Sequence, residues 1–185
     1  ERVIDMAARM PGKAREVGWR PLPEEAQHMG FANLGAAVRP QRDVTVYALA
    51  LVESPTRQRV RLMIGASGAV KAFVNGQLAL ADSTYHPARL DQMGAQVTLQ
   101  PGVNRILLKV ANADAALGFF ARLARGNGDG ARVKTVDSVI PPPAVKPGDK
   151  PAPIEPGIAT LERRAKSEKR PAAQSEAYYE LALAF

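Results

Sequence analysis

The 185-residue chain contains no cysteine, and this absence excludes disulfide bonds, zinc–thiolate sites and a thiol nucleophile together. Aromatic residues make up only 5% of the chain, with Trp19 as the single tryptophan. We expect Trp19 to anchor the segment around it by packing. The two histidines, His28 and His86, lie far apart in sequence, so they do not indicate a metal pair.

Long hydrophobic runs are also absent. No segment approaches the roughly 18 consecutive apolar residues that a membrane-spanning helix needs, and the N-terminus lacks the layout of a signal peptide. We therefore expect no membrane insertion. Because the sequence starts with Glu1 and ends at Phe185 inside an apolar periodic run, we expect it to be part of a longer protein. The lack of cysteine leaves the compartment open, with a periplasmic or secreted location favoured.

Positive charge is what the chain has in excess: 25 Lys and Arg against 18 Asp and Glu give a formal net charge of +7. Such an excess can serve phosphate binding. Here the basic residues are mostly scattered, and the ordered set is Arg57, Arg59 and Arg61, which would share one face of a strand. No aromatic residue alternates with them to stack a base. The pattern indicates a solvated sheet face, so we do not expect nucleic acid as a partner.

The apolar pattern from Asp43 onward is typical of β-strands. The segment "DVTVYALALVE" is apolar on both faces, which predicts a strand covered on both sides, whereas "RQRVRLMIG" alternates like a strand with one wet face. At least six such segments recur about every ten residues with turn signals between them. This spacing predicts a mainly β protein, an antiparallel sandwich or barrel, and not alternating βαβ units.

Two turn signals are the clearest local features. Asn75-Gly76 joins two strands in "AVKAFVNGQLALAD", and both positions of a type I′ hairpin turn require positive φ. Pro101-Gly102 joins two strands in "AQVTLQPGVNRILLKVAN", where Pro presets φ and Gly accepts the left-handed position of a type II turn. With Asn104, these residues are predicted to fix the register of the strands.

Composition divides the chain into four segments. Residues 1–18 contain "RVIDMAARM", which predicts a short helix or the tail of a preceding domain, and residues 19–139 form the β-sandwich. Residues 140–157 are so rich in proline that they predict a semi-rigid extended spacer. Residues 158–185 predict two helices that cannot bury a core by themselves.

A family resemblance is carried by Val74-Asn75-Gly76 after an apolar strand, by Asp91 before the next strand, and by "GVN" leading into "ILLKV". With these features the segment 19–139 resembles the galactose-binding-like jelly-roll sandwich. It is similar to the accessory sugar-binding-type domain of family 2 glycoside hydrolases and to modules of large bacterial proteins with tetratricopeptide or transglutaminase-like regions. Where many relatives carry Trp, this chain has Leu117, which removes one aromatic platform for a sugar. The resemblance implies a jelly roll and places catalysis in a separate domain.

Beyond the proline-rich segment, "AYYELALAF" resembles the first helix of a tetratricopeptide array. Its apolar residues recur at helical contact spacing. A generic amphipathic helix would show the same pattern, since only one copy of the repeat is present.

The candidate binding residues lie in the polar loop between the two turns. Tyr85 offers an aromatic face, and His86, Arg89 and Asp91 offer polar groups, which together suit a glycan. The alternative is that Tyr85 packs on the sandwich and Arg89 pairs with an aspartate. A catalytic pair of Asp82 and Asp91 is not expected, because no supporting motif accompanies them.

Asn127 and Asp129 in the glycine-rich "RGNGDGAR" are the candidate ligands of a structural calcium ion. Their spacing is not that of a recognised calcium loop, so a plain turn is the competing interpretation. No other cofactor is expected.

The sequence thus predicts a non-catalytic β-sandwich module that organises a larger bacterial protein or binds a protein partner. Two alternatives remain. One is a carbohydrate-binding module that uses the loop with Tyr85, and the other is an accessory domain of a glycoside hydrolase or transglutaminase-like enzyme.

Overall fold

The computed structural model describes residues 4–113, 116–136, 146–155 and 166. The predicted mainly antiparallel β-sandwich is confirmed. The strands are β1 (Arg9–Pro11), β2 (Glu16–Gly18), β3 (Gln27–His28), β4 (Phe31–Asn33), β5 (Val44–Ser54), β6 (Gln58–Ala66), β7 (Ala69–Val74), β8 (Gln77–Asp82), β9 (Met93–Leu99), β10 (Gly102–Asn112), β11 (Gly118–Ala124), β12 (Lys134–Thr135) and β13 (Ala152–Ile154). A 3₁₀ turn (Glu24–Ala26) and a one-turn helix α1 (Leu34–Ala37) precede β5.

The sandwich consists of two antiparallel sheets. One has the order β12-β5-β10-β7-β8, and the other has the order β13-β9-β6-β11-β4-β3. The eight strands from β4 to β11 divide into β5-β10-β7-β8 and β9-β6-β11-β4, which is jelly-roll connectivity. Most connections cross from one sheet to the other, so the two sheets enclose one core.

The core lies between the inward-facing residues of the two sheets. Val60, Leu62 and Ile64 of β6 are at most 1% exposed, as are Val70 and Val110 on the facing sheet. The arginines that alternate with them in sequence point outward, and the side chain of Arg59 is 65% exposed. The alternation in β6 thus gave the correct inward face, but the outer face is not wet throughout, since Met63 on it is 5% exposed.

The prediction that β5 is covered on both sides holds only near its C-terminal end, where Leu51 on the outer face is 6% exposed. Its inward residues pack on the core, with Val52 7% exposed, but on the opposite face the side chain of Tyr47 is 48% exposed. Apolar composition on both faces therefore does not mean burial on both faces here. The outer face of the five-stranded sheet presents Tyr47 to solvent.

The helix predicted within residues 1–18 is also wrong for the described residues 4–18. They form a hairpin in which β1 pairs with β2, Arg9 opposite Gly18. The Gly12 N–H donates to the Arg15 carbonyl at 2.9 Å and closes the turn. Pro11 and Gly12 begin this turn, and a helix of so few residues would gain too little to offset its nucleation.

The predicted spacer, residues 140–157, contributes a strand to the sandwich. β13 pairs antiparallel with β9, with Pro153 opposite Ala95 at the edge of the six-stranded sheet. Proline is tolerated at such an edge, because only one side of the strand must supply N–H donors. The predicted helices in 158–185 lie outside the described residues except for Lys166.

The described residues contain no helix that is long and apolar enough to cross a membrane.

Candidate functional site

The predicted binding loop, residues 83–91, lies in the connection of β8 to β9, residues 83–92, which passes from one sheet to the other. On this path the backbone of Arg89 crosses Gly65 of β6 so closely that a Cβ on Gly65 would lie 1.5 Å from the Arg89 carbonyl oxygen. The Gly68 N–H also donates to the His86 carbonyl at 3.1 Å. The loop therefore lies against the sandwich.

Asp91 is tied to the strand β11 by a bidentate ion pair. Its backbone has a positive φ of 54°, and its carboxylate accepts hydrogen bonds from Arg122 Nε at 2.9 and 3.2 Å and from the terminal guanidinium nitrogen. The hydrogen bond to Asp91 raises the pKa of Arg122 above its ordinary value. Asp91 thus has a structural partner, and it fixes the end of the loop.

His86 is held within a small polar cluster that joins Asp82, before the loop, to Gln92 at its end. Its Nε2 lies 3.1 Å from Asp82 Oδ2, and its Nδ1 lies 3.2 Å from the side-chain amide nitrogen of Gln92. The same amide donates to the Pro87 carbonyl at 2.7 Å. Both ring nitrogens of His86 are therefore engaged inside the loop.

Tyr85 differs from these two residues because its side chain is 58% exposed. One edge of its ring lies beside Gly68, 3.4 Å from the position that a Cβ there would occupy. The structure thus brings Tyr85, His86, Arg89 and Asp91 into one loop but uses His86 and Asp91 for internal contacts. Tyr85 and Arg89 are both exposed, and a ligand at this loop stays a prediction.

The surroundings of Asp82 predict that the stability of the fold depends on pH. Burial alone would raise its pKa, but hydrogen bonds from the Thr84 backbone N–H and from His86 hold the pKa of Asp82 below its ordinary value of 3.8. A carboxyl whose folded pKa is lowered stabilises the fold above the unfolded pKa, and this contribution is lost as pH falls through the folded pKa.

We therefore expect Asp82→Asn to destabilise the protein near neutral pH and to differ progressively less from the parent as the pH falls below 3.8. Urea unfolding of both proteins at about pH 6 and about pH 3 measures this difference. A constant gap between the two proteins at both pH values would contradict the assignment.

The predicted turns are held by two buried asparagines. Asn75 and Gly76 have φ of 50° and 83°, as a type I′ turn requires, and Gly102 has φ of 86° after Pro101. Asn75 Nδ2 donates to Asn104 Oδ1 at 2.8 Å, and Asn75 Oδ1 accepts from the backbone N–H that follows Asn104 at 2.9 Å. These side chains connect the two turns across the sheet.

The candidate calcium ligands bond to each other and to an arginine. Asp129 Oδ2 accepts from Arg125 at 2.7 Å and from Asn127 Nδ2 at 2.8 Å. Within the described residues, no group of three or more His, Asp or Glu side chains is placed to hold a metal ion. The contacts account for Asn127 and Asp129 as parts of a turn, and calcium stays a prediction.

A depression of about 230 Å³ next to the start of the loop was not foreseen from the sequence. It lies on the outer face of the five-stranded sheet. The residues that line it are Ala69, Val70, Lys71, Ala81, Asp82, Ser83, Lys109 and Ala111. The alternation of residues in β7 and β10 shows that Lys71 and Lys109 point away from the core. They lie directly opposite each other only because β7 pairs with β10, which is a long-range contact.

No family model, curated protein or solved structure matches this chain. The galactose-binding-like and tetratricopeptide resemblances therefore stay predictions.

Proposed function

We propose that this β-sandwich is a non-catalytic organising module that anchors the proline-rich segment and so directs the path of residues 156–185. The observation that carries the proposal is the pairing of β13 with β9, which attaches residues of the expected spacer to the edge of the sandwich. A free spacer would leave the following segment to sample many orientations, whereas an anchored one restricts them.

Ion pairs reinforce this attachment. Asp149 lies 2.7 Å from Arg57 and 3.7 Å from Arg59, and its second oxygen accepts from Thr98 Oγ1 at 3.2 Å. Each exposed pair contributes only about 0.2–1 kcal/mol. The two pairs place the Asp149 carboxylate between Arg57 and Arg59. The sequence pattern indicated only that these arginines form a solvated face of the sheet.

The proline-rich segment packs closely against β9 of the six-stranded sheet. A Cβ on Gly148 would lie 2.7 Å from Thr98 Cβ, and a Cβ on Gly94 would lie 2.7 Å from Ile154 Cγ1. Larger residues at either glycine would separate the segment from β9. The two glycines permit the backbone to approach the sheet at both ends of β13.

This role agrees with the resemblance to accessory modules of larger bacterial proteins, in which residues 158–185 would begin a tetratricopeptide-like region. Attachment to a glycoside hydrolase or transglutaminase-like enzyme is the related alternative. Glycan binding is the alternative from another class, and the exposure of Tyr85 is the observation that favours it.

The distance between two spin labels tests the proposal. Because the chain has no cysteine, two introduced cysteines are the only labelling sites. With labels at Thr56→Cys and Lys166→Cys, we expect a restricted distance distribution in the parent. Replacing residues 148–154 by an equally long Gly/Ser sequence should broaden the distribution at least about twofold, because it removes β13 and Asp149.

The matched control is Asp43→Asn. It also removes a paired carboxylate, which lies 3.9 Å from Lys13 Nζ, but this carboxylate is outside the proline-rich segment. It should leave the distribution unchanged. A parent distribution as broad as that of the Gly/Ser variant would show that the sandwich does not direct the segment, and would overturn the proposal.

A further inference from the structure

The two lysines at the depression are placed against each other by the sheet. Lys71 of β7 and Lys109 of β10 are direct cross-strand partners, so their side chains leave the same face at adjacent positions. Like charges at directly opposite positions destabilise a sheet. Among the ion pairs of the described residues, none involves Lys71 or Lys109, and the carboxylate that lines the depression is that of Asp82.

An aromatic ring holds one of these ammonium groups. Tyr47 is the partner of Lys109 on the next strand, and Lys109 Nζ lies 5.8 Å from the centre of the Tyr47 ring. This contact, a cation–π interaction, places the ammonium without neutralising it. Tyr47, Lys109 and Lys71 thus form one row across β5, β10 and β7, with Ala81 as the next partner on β8.

The rest of the depression offers a small apolar floor and one hydroxyl. Ala69 and Ala111 are cross-strand partners next to the lysine pair, and Ser83 adds its hydroxyl at the rim. Asp82 is also at the rim, but its carboxylate already accepts hydrogen bonds from the Thr84 N–H at 2.8 Å and interacts with His86.

We propose that this depression binds the carboxylate of a small ligand, with Lys71 and Lys109 on the two sides of the carboxylate and the body of the ligand on the alanine floor. A volume of about 230 Å³ suits one sugar ring or one amino-acid residue. A carboxylate fits better than a phosphate, because β7 and β10 are interior strands with neighbours on both sides. Their backbone N–H groups are used in the sheet, and the dense donor sets of phosphate sites draw on such groups.

Two classes of small ligand carry such a carboxylate, uronic acids and acidic amino acids. Titration calorimetry on the full chain with glucuronate and with N-acetylglutamate distinguishes them, and glucose and N-acetylglutamine are the neutral counterparts. We expect saturable binding of at least one acid and a loss of about tenfold or more in Lys71→Met and in Lys109→Met. Their neutral counterparts should not bind.

Lys150→Met is the matched control, because it removes the same charge from an exposed position on the proline-rich segment. It should bind the acid within about twofold of the parent, which separates a site from general attraction to a basic protein. Lys71→Met should melt at the parent temperature or above it, because the substitution removes a repulsion. This melting result shows that lost binding does not reflect unfolding.

The proposal is overturned if neither acid binds saturably, if a neutral counterpart or inorganic phosphate binds as tightly as the acid, or if Lys150→Met loses as much affinity as Lys71→Met. None of these outcomes bears on the anchoring of β13, since the site uses no residue of that segment.

Discussion

Replacing Asn104 by alanine is expected to lower the free energy of unfolding by about 3–5 kcal/mol. Asn104 is fully buried, and its Oδ1 accepts from the Gln100 N–H and from Asn75 Nδ2, each at 2.8 Å. Its Nδ2 donates to the carbonyls of Gln100 and Gly102 at 2.8 and 2.9 Å. Alanine leaves the buried Asn75 amide and the partly buried backbone groups of Gln100 without these partners, and a fully buried orphan costs about 1–3 kcal/mol. Urea unfolding of the two proteins measures the loss.

Asn75→Gly is the companion variant for this prediction. Glycine accepts the positive φ of Asn75 at no steric cost, so the variant removes the side-chain bonds while keeping the turn conformation. Because the two asparagines share a hydrogen bond, the double variant should lose less stability than the sum of the single variants. A loss below about 1 kcal/mol for Asn104→Ala, or full additivity, would contradict the assigned network.

Gly65→Ala is expected to displace the loop of residues 83–92 and to cost about 2–3 kcal/mol. The new methyl group would overlap the Arg89 carbonyl oxygen, which lies 1.5 Å from the Cβ position. A backbone atom cannot rotate away as a side chain can. The loop must therefore move, which strains its contacts through His86 and Asp91. Urea unfolding gives the cost, and amide chemical shifts of the loop report the displacement.

The control for this substitution is Gly126→Ala. No atom lies within 4 Å of a Cβ at Gly126, and its φ is not in the left-handed region. We expect a change of at most about 0.5 kcal/mol there. If Gly65→Ala also fell within this range and left the loop shifts unchanged, the loop would not lie against β6 as described.

Local patterns were sufficient for much of the fold. The positive φ at Asn75 and Gly76 follows from turn chemistry between adjacent residues, and the alternation in β6 correctly placed Leu62 and Ile64 in the core. Both features depend only on neighbours in the sequence. For the same reason, the length and spacing of the strands were enough to predict an antiparallel sandwich.

Predictions failed where distant partners decide the outcome. The proline-rich segment supplied a strand because the edge of β9 was available to pair with it. The outer face of β5 is apolar in composition, yet Tyr47 is exposed. Whether another element covers a face is a property of the assembled sheets and is not encoded in the period of one strand.

In the candidate site, too, some features follow from the local sequence and others depend on distant contacts. The sequence identified the loop with Tyr85 and His86 because polar and aromatic residues stand out between strands. It did not show that Arg122 binds Asp91, since the two residues belong to different elements. The lysine pair was likewise missed, because Lys71 and Lys109 meet only through the register of β7 and β10.

For this protein the sequence by itself determined the strand class, the turns and the inward face of β6, because these follow from the conformations and polarity of neighbouring residues. Only the tertiary structure decided that Asp149 pairs with Arg57 and that two ammonium groups share one depression. The reason is that long-range strand pairing sets which faces are covered and which charges meet.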